Sequence, residues 1–253
     1  MSAPYHIVIP ARMASQRLPG KPLLDIGGRS LLEHVYRRAC KASAQSVVIA
    51  TDSEEICAAV ASFGGDAVMT SPDHQSGSDR IAECIDIMNW PDATLVVNLQ
   101  GDEPLMPPGC LDQVANILQQ AAGADVASLY WPIDTPVAVH DSNVVKVVVS
   151  GAGQALYFSR SVIPHPRNVS VEAAMQAGAG WNRHIGLYAY RASALRAFTK
   201  IPVSTLESLE KLEQLRFLEA GRRIVMERAC EFIPAGVDTA EDLERVRKLQ
   251  TRV

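Results

Sequence analysis

The sequence lacks several features that would place the protein in a broad functional class. It has no apolar run of about 20 residues, the length that a membrane-spanning helix needs. It also has no excess of positive charge, because 24 lysines and arginines stand against 28 aspartates and glutamates. A nucleic-acid-binding domain is usually basic. The composition therefore argues against nucleic acid as a partner and against insertion into a membrane.

Cysteine is scarce, and its positions follow no recognisable pattern. The five cysteines stand at positions 40, 57, 84, 110 and 230, and none has the C-x-x-C spacing of a zinc or redox motif. No charged segment followed by an apolar one opens the sequence, as it would in a secretory signal. We therefore expect a soluble cytoplasmic protein whose reduced cysteines are small core residues.

Two common phosphate-binding motifs are also missing, because the chain contains neither a Walker A loop nor a G-x-G-x-x-G fingerprint. Instead, a basic loop directly follows the apolar run Tyr5–Ile9. This loop carries Arg12, Arg17 and Lys21 and contains no carboxylate. A cationic loop at the end of a buried strand is typical of a polyanion site in an α/β sheet, and a solvated surface loop is the alternative.

Apolar runs and amphipathic segments alternate through the first half of the chain. This alternation predicts right-handed βαβ crossovers and a mainly parallel sheet with helices on both faces, which binds ligands at the carboxyl ends of its strands. Strands are predicted at Tyr5–Ile9, Ser46–Thr51, Asp66–Met69 and Thr94–Leu99. Helices are predicted to start at Ser30 with Glu33 (a capping box, running to about Ala42), at Asp52 with Glu55, at Ser76 and at Pro107.

The pattern changes in the second half, where a smaller antiparallel insertion is predicted at about 130–200. A hairpin, a further strand and an Ala/Gly-rich mobile loop fall in this region. We expect one α/β domain over residues 1–253. The predicted elements are Val144–Val149, Ala155–Ser159, the loop 173–180, Trp181–Arg191, a helix from Ser204 to Gly221, a strand near Ile224–Phe232 and a last helix capped by Thr239.

Acidic residues follow the strand predicted at Thr94–Leu99. Asp102 stands in a sharp Gly-containing turn, at the sheet edge where the basic loop also begins. A hard cation bridging Asp102 to phosphate oxygens would explain this pairing, since Mg²⁺ takes only one or two protein carboxylates. The alternative is an aspartate turn without a metal. Asp238 is a second candidate, with the start of the last helix as its alternative role.

Four other segments carry candidate binding residues, and each has an ordinary structural explanation. Arg80 opens a helix, where the preceding Ser78 is also explained as a cap. Arg160 ends a strand and has the fork shape that suits a carboxylate, but arginines are also common on protein surfaces. His184 and Tyr188 share one face of a strand, where a histidine is commonly structural. Charges such as Glu213 on a helix are commonly solvated.

Seven segments taken together carry a stronger signal than any one of them. They are IPARMASQRLPGKP, MTSPDHQSGSDR, VNLQGDEPLMPP, ALYFSR, HIGLYAYR, LESLEKLEQLR and GVDTAEDLERVR. In this order and spacing, the chain resembles the 3-deoxy-manno-octulosonate cytidylyltransferase family from about Ile7 to Arg247. The resemblance implies a Rossmann-like nucleotidyltransferase sheet and a homodimer with the insertion at the interface.

The resemblance also implies a reaction and a role for each site residue. CTP and the sugar acid KDO would give CMP-KDO and pyrophosphate for lipopolysaccharide synthesis, with Mg²⁺ as cofactor and Lys21, Asp102 and Asp238 as catalytic residues. The aspartates would hold the metal. The residues implied for CTP are Pro10, Ala11, Arg12, Ser15, Arg17, Lys21, Ser78 and Arg80. Those implied for KDO, with Arg160 on its carboxylate, are Gln100, Arg160, His184, Tyr188, Glu213 and Gln214.

Three other functions are weighed against this one. A CTP-dependent enzyme for sialic acid would share the basic loop, but the segments HIGLYAYR and LEKLEQLR argue against it. A non-catalytic nucleotide-binding module would bind CTP without turnover and would leave the two aspartates without a purpose. A dehydrogenase is disfavoured by the missing dinucleotide fingerprint.

Overall fold

The computed structural model describes residues 4–14 and 17–250. It contains a nine-stranded sheet and a separate two-stranded ribbon, β2–β3. The strands are β1 (Tyr5–Ala11), β2 (Asp25–Ile26), β3 (Arg29–Ser30), β4 (Ser46–Thr51), β5 (Asp66–Met69), β6 (Leu95–Asn98), β7 (Val126–Ile133), β8 (Lys146–Val149), β9 (Ala155–Ser159), β10 (Trp181–Arg191) and β11 (Ile224–Arg228).

Ten α-helices and one 3-10 helix, Lys21–Leu23, connect these strands within the described residues. None of these helices combines the length and the apolar character needed to cross a bilayer. The α-helices are α1 (Leu31–Ala39), α2 (Glu54–Ser62), α3 (Gly77–Ile87), α4 (Pro108–Gln120), α5 (Pro136–His140), α6 (Val171–Gln176), α7 (Ala192–Phe198), α8 (Thr205–Glu210), α9 (Gln214–Glu219) and α10 (Ala240–Gln250).

The main sheet is largely parallel, as predicted. Its order is β11-β7-β10-β6-β1-β4-β5, with β8 paired to β10 and β9 paired to β8. Strands β6, β1, β4 and β5 run parallel, and β11 runs parallel to β7. Strand β10 is antiparallel to both β6 and β7. The antiparallel strands from the 130–200 region are therefore joined to the main sheet instead of forming a sheet of their own.

Both faces of the sheet are buried because helices cover each of them. Alternate residues of β1 contribute to different cores, with Ile7 and Ile9 in one and Val8 in the other. Helices α1 and α4 pack into the first core, and α3 and α7 pack into the second. This double covering explains why the central strands have near-continuous apolar sequences.

Several predicted element boundaries are confirmed. Strands Ser46–Thr51, Asp66–Met69 and Trp181–Arg191 have the predicted bounds, and Ser204 caps α8 through a reciprocal bond with Glu207. The oxygen Oγ1 of Thr239 accepts a hydrogen bond from the backbone N–H of Asp242 and so caps α10. Short-range capping chemistry identifies these positions because it depends on residues three apart in the chain.

Other boundaries differ from the prediction. Helix α1 ends at Ala39, and Ser53 instead of Asp52 caps α2, because Asp52 pairs with Arg80. The segment predicted as a mobile loop contains the end of helix α6. The helix predicted from Ser204 to Gly221 is broken at Lys211, whose φ of 54° ends α8.

The last strand and two of the cysteines also differ from the sequence-based predictions. Strand β11 ends at Arg228, short of the predicted Phe232. Cys84 and Cys110 are core residues as expected, whereas Cys40 and Cys230 are exposed. Burial of a cysteine depends on what packs against its segment, and composition does not report that packing.

Candidate active site

Two adjoining cavities open where β1 and β6 end. The larger has a volume of about 780 Å³ and the smaller about 310 Å³, and Gly77 and Gln100 line both. Strands β1 and β6 are parallel neighbours, with Val8 opposite Asn98, so the loops that leave their carboxyl ends meet at one edge. The predicted meeting of the basic loop with Asp102 is confirmed.

The larger cavity contains most of the residues implied for CTP. The residues Pro10, Ala11, Arg12, Arg17, Lys21 and Arg80 line it, together with Gln100, Asp102 and Asp238. Ser15 lies outside the described residues. Ser78 lines the smaller cavity instead, one residue beyond the shared Gly77. The larger cavity thus carries both cations and carboxylates.

The ammonium of Lys21 lies between the two candidate aspartates. Its Nζ donates to Asp102 Oδ2 at 2.7 Å, to Asp238 Oδ1 at 3.1 Å and to the carbonyl of Val237 at 2.8 Å. Arg17 Nη2 reaches the same oxygen of Asp238 at 3.1 Å. Cations therefore hold together two carboxylates that would otherwise repel each other.

A backbone hydrogen bond joins the loop that carries Asp102 to the loop that carries Asp238. The N–H of Val237 donates to the carbonyl of Asp102 at 2.8 Å. A Cβ at Gly236 would lie 2.9 Å from that carbonyl oxygen and 3.0 Å from Glu103 Oε1. Only glycine allows this approach, so Gly236 sets the distance between the loops that carry Asp102 and Asp238.

Glu103 lies beside the two aspartates, and the sequence analysis did not select it. Burial, and after it the nearby charges of Asp102 and Asp238, raise the pKa of its carboxyl to about 8, against the opposing charges of Arg183 and Lys21. The adjacent acidic pair Asp102–Glu103 was the available signal. A carboxyl with this pKa keeps its proton near neutrality, which limits the negative charge beside the two aspartates.

Arg80 forms a rigid part of the wall of the larger cavity. It is only 3% exposed, and its guanidinium donates to Asp52 Oδ2 at 2.8 Å and to Thr70 Oγ1 at 2.6 Å. Helix α3, which carries it, begins with a capping box between Ser76 and Asp79. Arg80 is therefore positioned at the cavity by an ion pair between helix α3 and the residue that follows β4.

His74 and Gln75 also line the larger cavity, although the sequence analysis did not select them. His74 Nε2 contacts Glu83 Oε2 at 2.5 Å, and the same oxygen accepts the N–H of Ser71 at 2.7 Å. Burial by itself would raise the pKa of Glu83, but these hydrogen bonds outweigh it and lower the pKa. The segment before α3 is thereby held against the cavity.

The smaller cavity is lined by polar and aromatic groups, among them the carboxyl of Glu213. Burial lowers the pKa of His184 to about 3, and burial likewise raises the pKa of Tyr188 well above its usual value, so both are neutral. Gln214 is 7% exposed, and its Nε2 is buried without a hydrogen-bond partner. Of the residues implied for KDO, this cavity contains Gln100, His184, Tyr188, Glu213 and Gln214.

Arg160 is the one residue implied for KDO that does not line the smaller cavity. Its Nε donates to the carbonyl of Glu210 at 2.8 Å, and its Nη1 donates to the carbonyl of Ser142 at 2.9 Å. The backbone N–H of Arg160 also binds Glu210 Oε2 at 2.9 Å. These bonds tie Arg160 to the end of α8, next to the helix break that precedes Glu213.

Comparison with known proteins shows which proteins this chain is similar to. Residues 6–224 match the family model described as Cytidylyltransferase. The chain is 49% identical over 245 residues to 3-deoxy-manno-octulosonate cytidylyltransferase of Thioalkalivibrio sulfidiphilus, covering 97% of this chain and 98% of that one. It is 48% identical over 245 residues to the Vibrio vulnificus protein of the same name, covering 97% of each.

A solved structure shares nearly the whole fold. It is CMP:2-keto-3-deoxy-manno-octonic acid synthetase in complex with CTP, with a TM-score of 0.90, 40% identity and 99% of each chain covered. A more distant structure, 4-diphosphocytidyl-2C-methyl-D-erythritol synthase from Anaerococcus prevotii, has a TM-score of 0.62 at 14% identity, which shows the fold alone.

Replacement of Gly236 by alanine should destabilise the protein. The added Cβ would clash with the carbonyl of Asp102, and we expect a loss of about 1–3 kcal/mol in the free energy of unfolding. Denaturant unfolding measures this loss. Gly180→Ala is the control, because a Cβ there meets nothing within 4 Å. Equal stability of the two variants would contradict the close contact of the two loops.

Proposed function

This chain belongs to the 3-deoxy-manno-octulosonate cytidylyltransferase family, and we propose that its two cavities transfer CMP from CTP to KDO, releasing pyrophosphate. The product, CMP-KDO, would serve lipopolysaccharide synthesis. One observation carries the proposal: a cationic loop meets Asp102 and Asp238 in one cavity, and a second cavity lined by polar and aromatic groups adjoins it. The first has the charges that a metal-bound triphosphate requires, and the second suits a polyhydroxylated sugar.

The reaction brings negatively charged groups together, and the larger cavity lowers that barrier. The anomeric hydroxyl of KDO attacks the α-phosphorus of CTP, and pyrophosphate leaves in line. Arg12, Arg17 and Lys21 surround the triphosphate with fixed positive charge. Catalysis then depends on positioning and electrostatic stabilisation, and it needs no covalent intermediate with the protein.

Asp102 and Asp238 are the residues that would hold Mg²⁺. Among residues 4–14 and 17–250, no three His, Cys, Asp or Glu side chains converge on a possible metal site. A pair of carboxylates still suits Mg²⁺, which completes its octahedron with phosphate oxygens and water. Lys21 already places a positive charge between this pair. Bound Mg²⁺ would neutralise phosphate charge and lower the pKa of the attacking hydroxyl.

The carboxylate of KDO requires a cation, and Arg160 is the proposed one. In the structure, its guanidinium donates hydrogen bonds to the backbone carbonyls of Glu210 and Ser142. Both acceptors are neutral carbonyls, so a substrate carboxylate would be a stronger partner for the same donors. We propose that the guanidinium exchanges at least one of these carbonyls for the carboxylate when the sugar binds.

We also propose a cytoplasmic homodimer with the 130–200 region at its interface. Three apolar side chains in that region are exposed to solvent, namely Val137, Leu156 and Val169. A second copy of the chain would cover such side chains. The cytoplasm is proposed because CTP is available there.

The proposed activity is tested by incubating the protein with CTP, Mg²⁺ and KDO. We expect CMP-KDO and pyrophosphate in equal amounts, detected by mass spectrometry and a pyrophosphate-release assay. Sialic acid replaces KDO in a parallel reaction. Faster turnover of sialic acid would reassign the substrate, and binding of CTP without turnover of either sugar would favour a non-catalytic nucleotide-binding module.

Asp102→Asn should keep the fold and lose most of the activity. The amide removes the negative charge that the proposed metal site needs, and we expect kcat/KM to fall by about a hundredfold or more. Steady-state kinetics at saturating Mg²⁺ measure the loss. Asp92→Asn is the control, because Asp92 pairs with Arg196 at an exposed site. Near-normal turnover by Asp102→Asn would exclude this residue from the metal site.

Arg160→Ala should affect the two substrates differently. Loss of a charge-assisted bond to the KDO carboxylate predicts a rise of roughly tenfold or more in the KM for KDO, with little change in the KM for CTP. Initial rates with each substrate varied in turn give both constants. Parallel increases in both KM values would contradict the carboxylate role.

A further inference from the structure

Strand β10 does not run straight past the smaller cavity. Its pairing with β7 is interrupted between Ile185 and Tyr188, leaving two residues unpaired in a bulge. Residues four apart on a straight strand are about 13 Å apart. The ring centroids of His184 and Tyr188 are nevertheless only 5.3 Å apart. The bulge therefore shortens the strand enough for both rings to line one small cavity.

A single buried hydroxyl, that of Ser128 on β7, lies inside this bulge. Ser128 is fully buried, and its Oγ lies 3.0 Å from the carbonyl oxygen of Ile185 and 2.9 Å from that of Leu187. The two carbonyls flank the unpaired Gly186. One serine thus binds the backbone on both sides of the bulge, in place of the missing contacts between the two strands.

The same hydroxyl also contacts His184, at 3.3 Å from Nε2. A carbonyl oxygen can only accept, so the single proton of Ser128 is used by the carbonyls of Ile185 and Leu187. Its Oγ therefore accepts from His184, which requires a proton on Nε2. The ring is neutral because burial lowers the pKa of His184 to about 3. Nδ1 is then unprotonated and is a hydrogen-bond acceptor.

We propose that Ser128 is a positioning residue for the smaller cavity, where it holds the β10 bulge closed and keeps His184 in the Nε2–H form, so that Nδ1 accepts a hydrogen bond from a sugar hydroxyl. This inference rests on the proposed function. It adds a selection rule, because the sugar acid must present a hydroxyl donor to His184. A deoxy or O-methylated position there leaves Nδ1 without a partner.

The first test compares Ser128→Ala with Ser128→Thr, which keeps the hydroxyl. We expect Ser128→Ala to raise the KM for KDO by roughly three- to tenfold, the effect of one lost hydrogen bond, with the KM for CTP changed less than about twofold. Ser128→Thr should keep the KM for KDO near its original value. Equal KM changes for both substrates, or no rescue by threonine, would overturn the proposal.

The second test reads the tautomer directly and needs no substrate. Nitrogen-15 NMR of the imidazole rings should show an Nε2–H proton of His184 that exchanges slowly with water, assigned by its absence in His184→Phe. The signal should persist in Ser128→Thr and exchange rapidly in Ser128→Ala. A proton on Nδ1 in the unaltered protein, or an identical signal in Ser128→Ala, would overturn the proposal.

The two tests separate this inference from the proposed function. Failure of the unaltered protein to convert KDO would contradict the function, while the NMR result would still decide the role of Ser128. If Ser128→Ala does not fold, the KM for KDO is measured in His184→Phe instead. Phenylalanine keeps an aromatic ring at this position and removes the hydrogen-bond acceptor Nδ1. A rise of roughly threefold or more in its KM for KDO supports the proposal, and an unchanged KM contradicts it.

Discussion

The contact of one ammonium with two carboxylates organises the site. Lys21 is 15% exposed and connects Asp102, which follows β6, to Asp238, which precedes α10. These loops are 136 residues apart in the chain, and without a cation between them their carboxylates would repel each other. Gly236 also brings the two loops together, because its missing side chain allows their backbones to come into contact. The proposed triphosphate role of Arg12 and Arg17 depends on this arrangement, because it holds the loop that carries them against the two aspartates.

The two cavities divide the chemistry by charge. The larger one combines cations and carboxylates, which suits a metal-bound triphosphate. The smaller one is lined by polar and aromatic side chains, of which His184, Tyr188 and Gln214 are uncharged and can bind hydroxyls. Gln100 borders both and marks where the reacting atoms of the two substrates would meet. A low-dielectric wall beside a charged one strengthens the electrostatic interactions at that boundary.

Much of the fold was predictable because it depends on short-range patterns. Continuous apolar runs identified β4 and β6, and capping residues identified the starts of α8 and α10. The errors have a common physical origin in long-range contacts. Asp52 has the chemistry of a helix cap, but Arg80 binds it from another element. Lys211 takes a left-handed conformation and breaks a helix whose sequence pattern is continuous.

The sequence by itself determined the cationic loop, the acidic residues after β6 and the family, because all three follow from residue types in a fixed order. It also determined that the loops after β1 and β6 share an edge, since parallel strands place their carboxyl ends together. Only the tertiary structure decided that Lys21 lies between the aspartates, that Glu103 is partly buried beside them and that Arg160 is bound to Glu210. It alone showed the β10 bulge that joins His184 to Tyr188. These features arise from contacts between segments far apart in the chain, and no local pattern of residues records which distant side chain will be the partner.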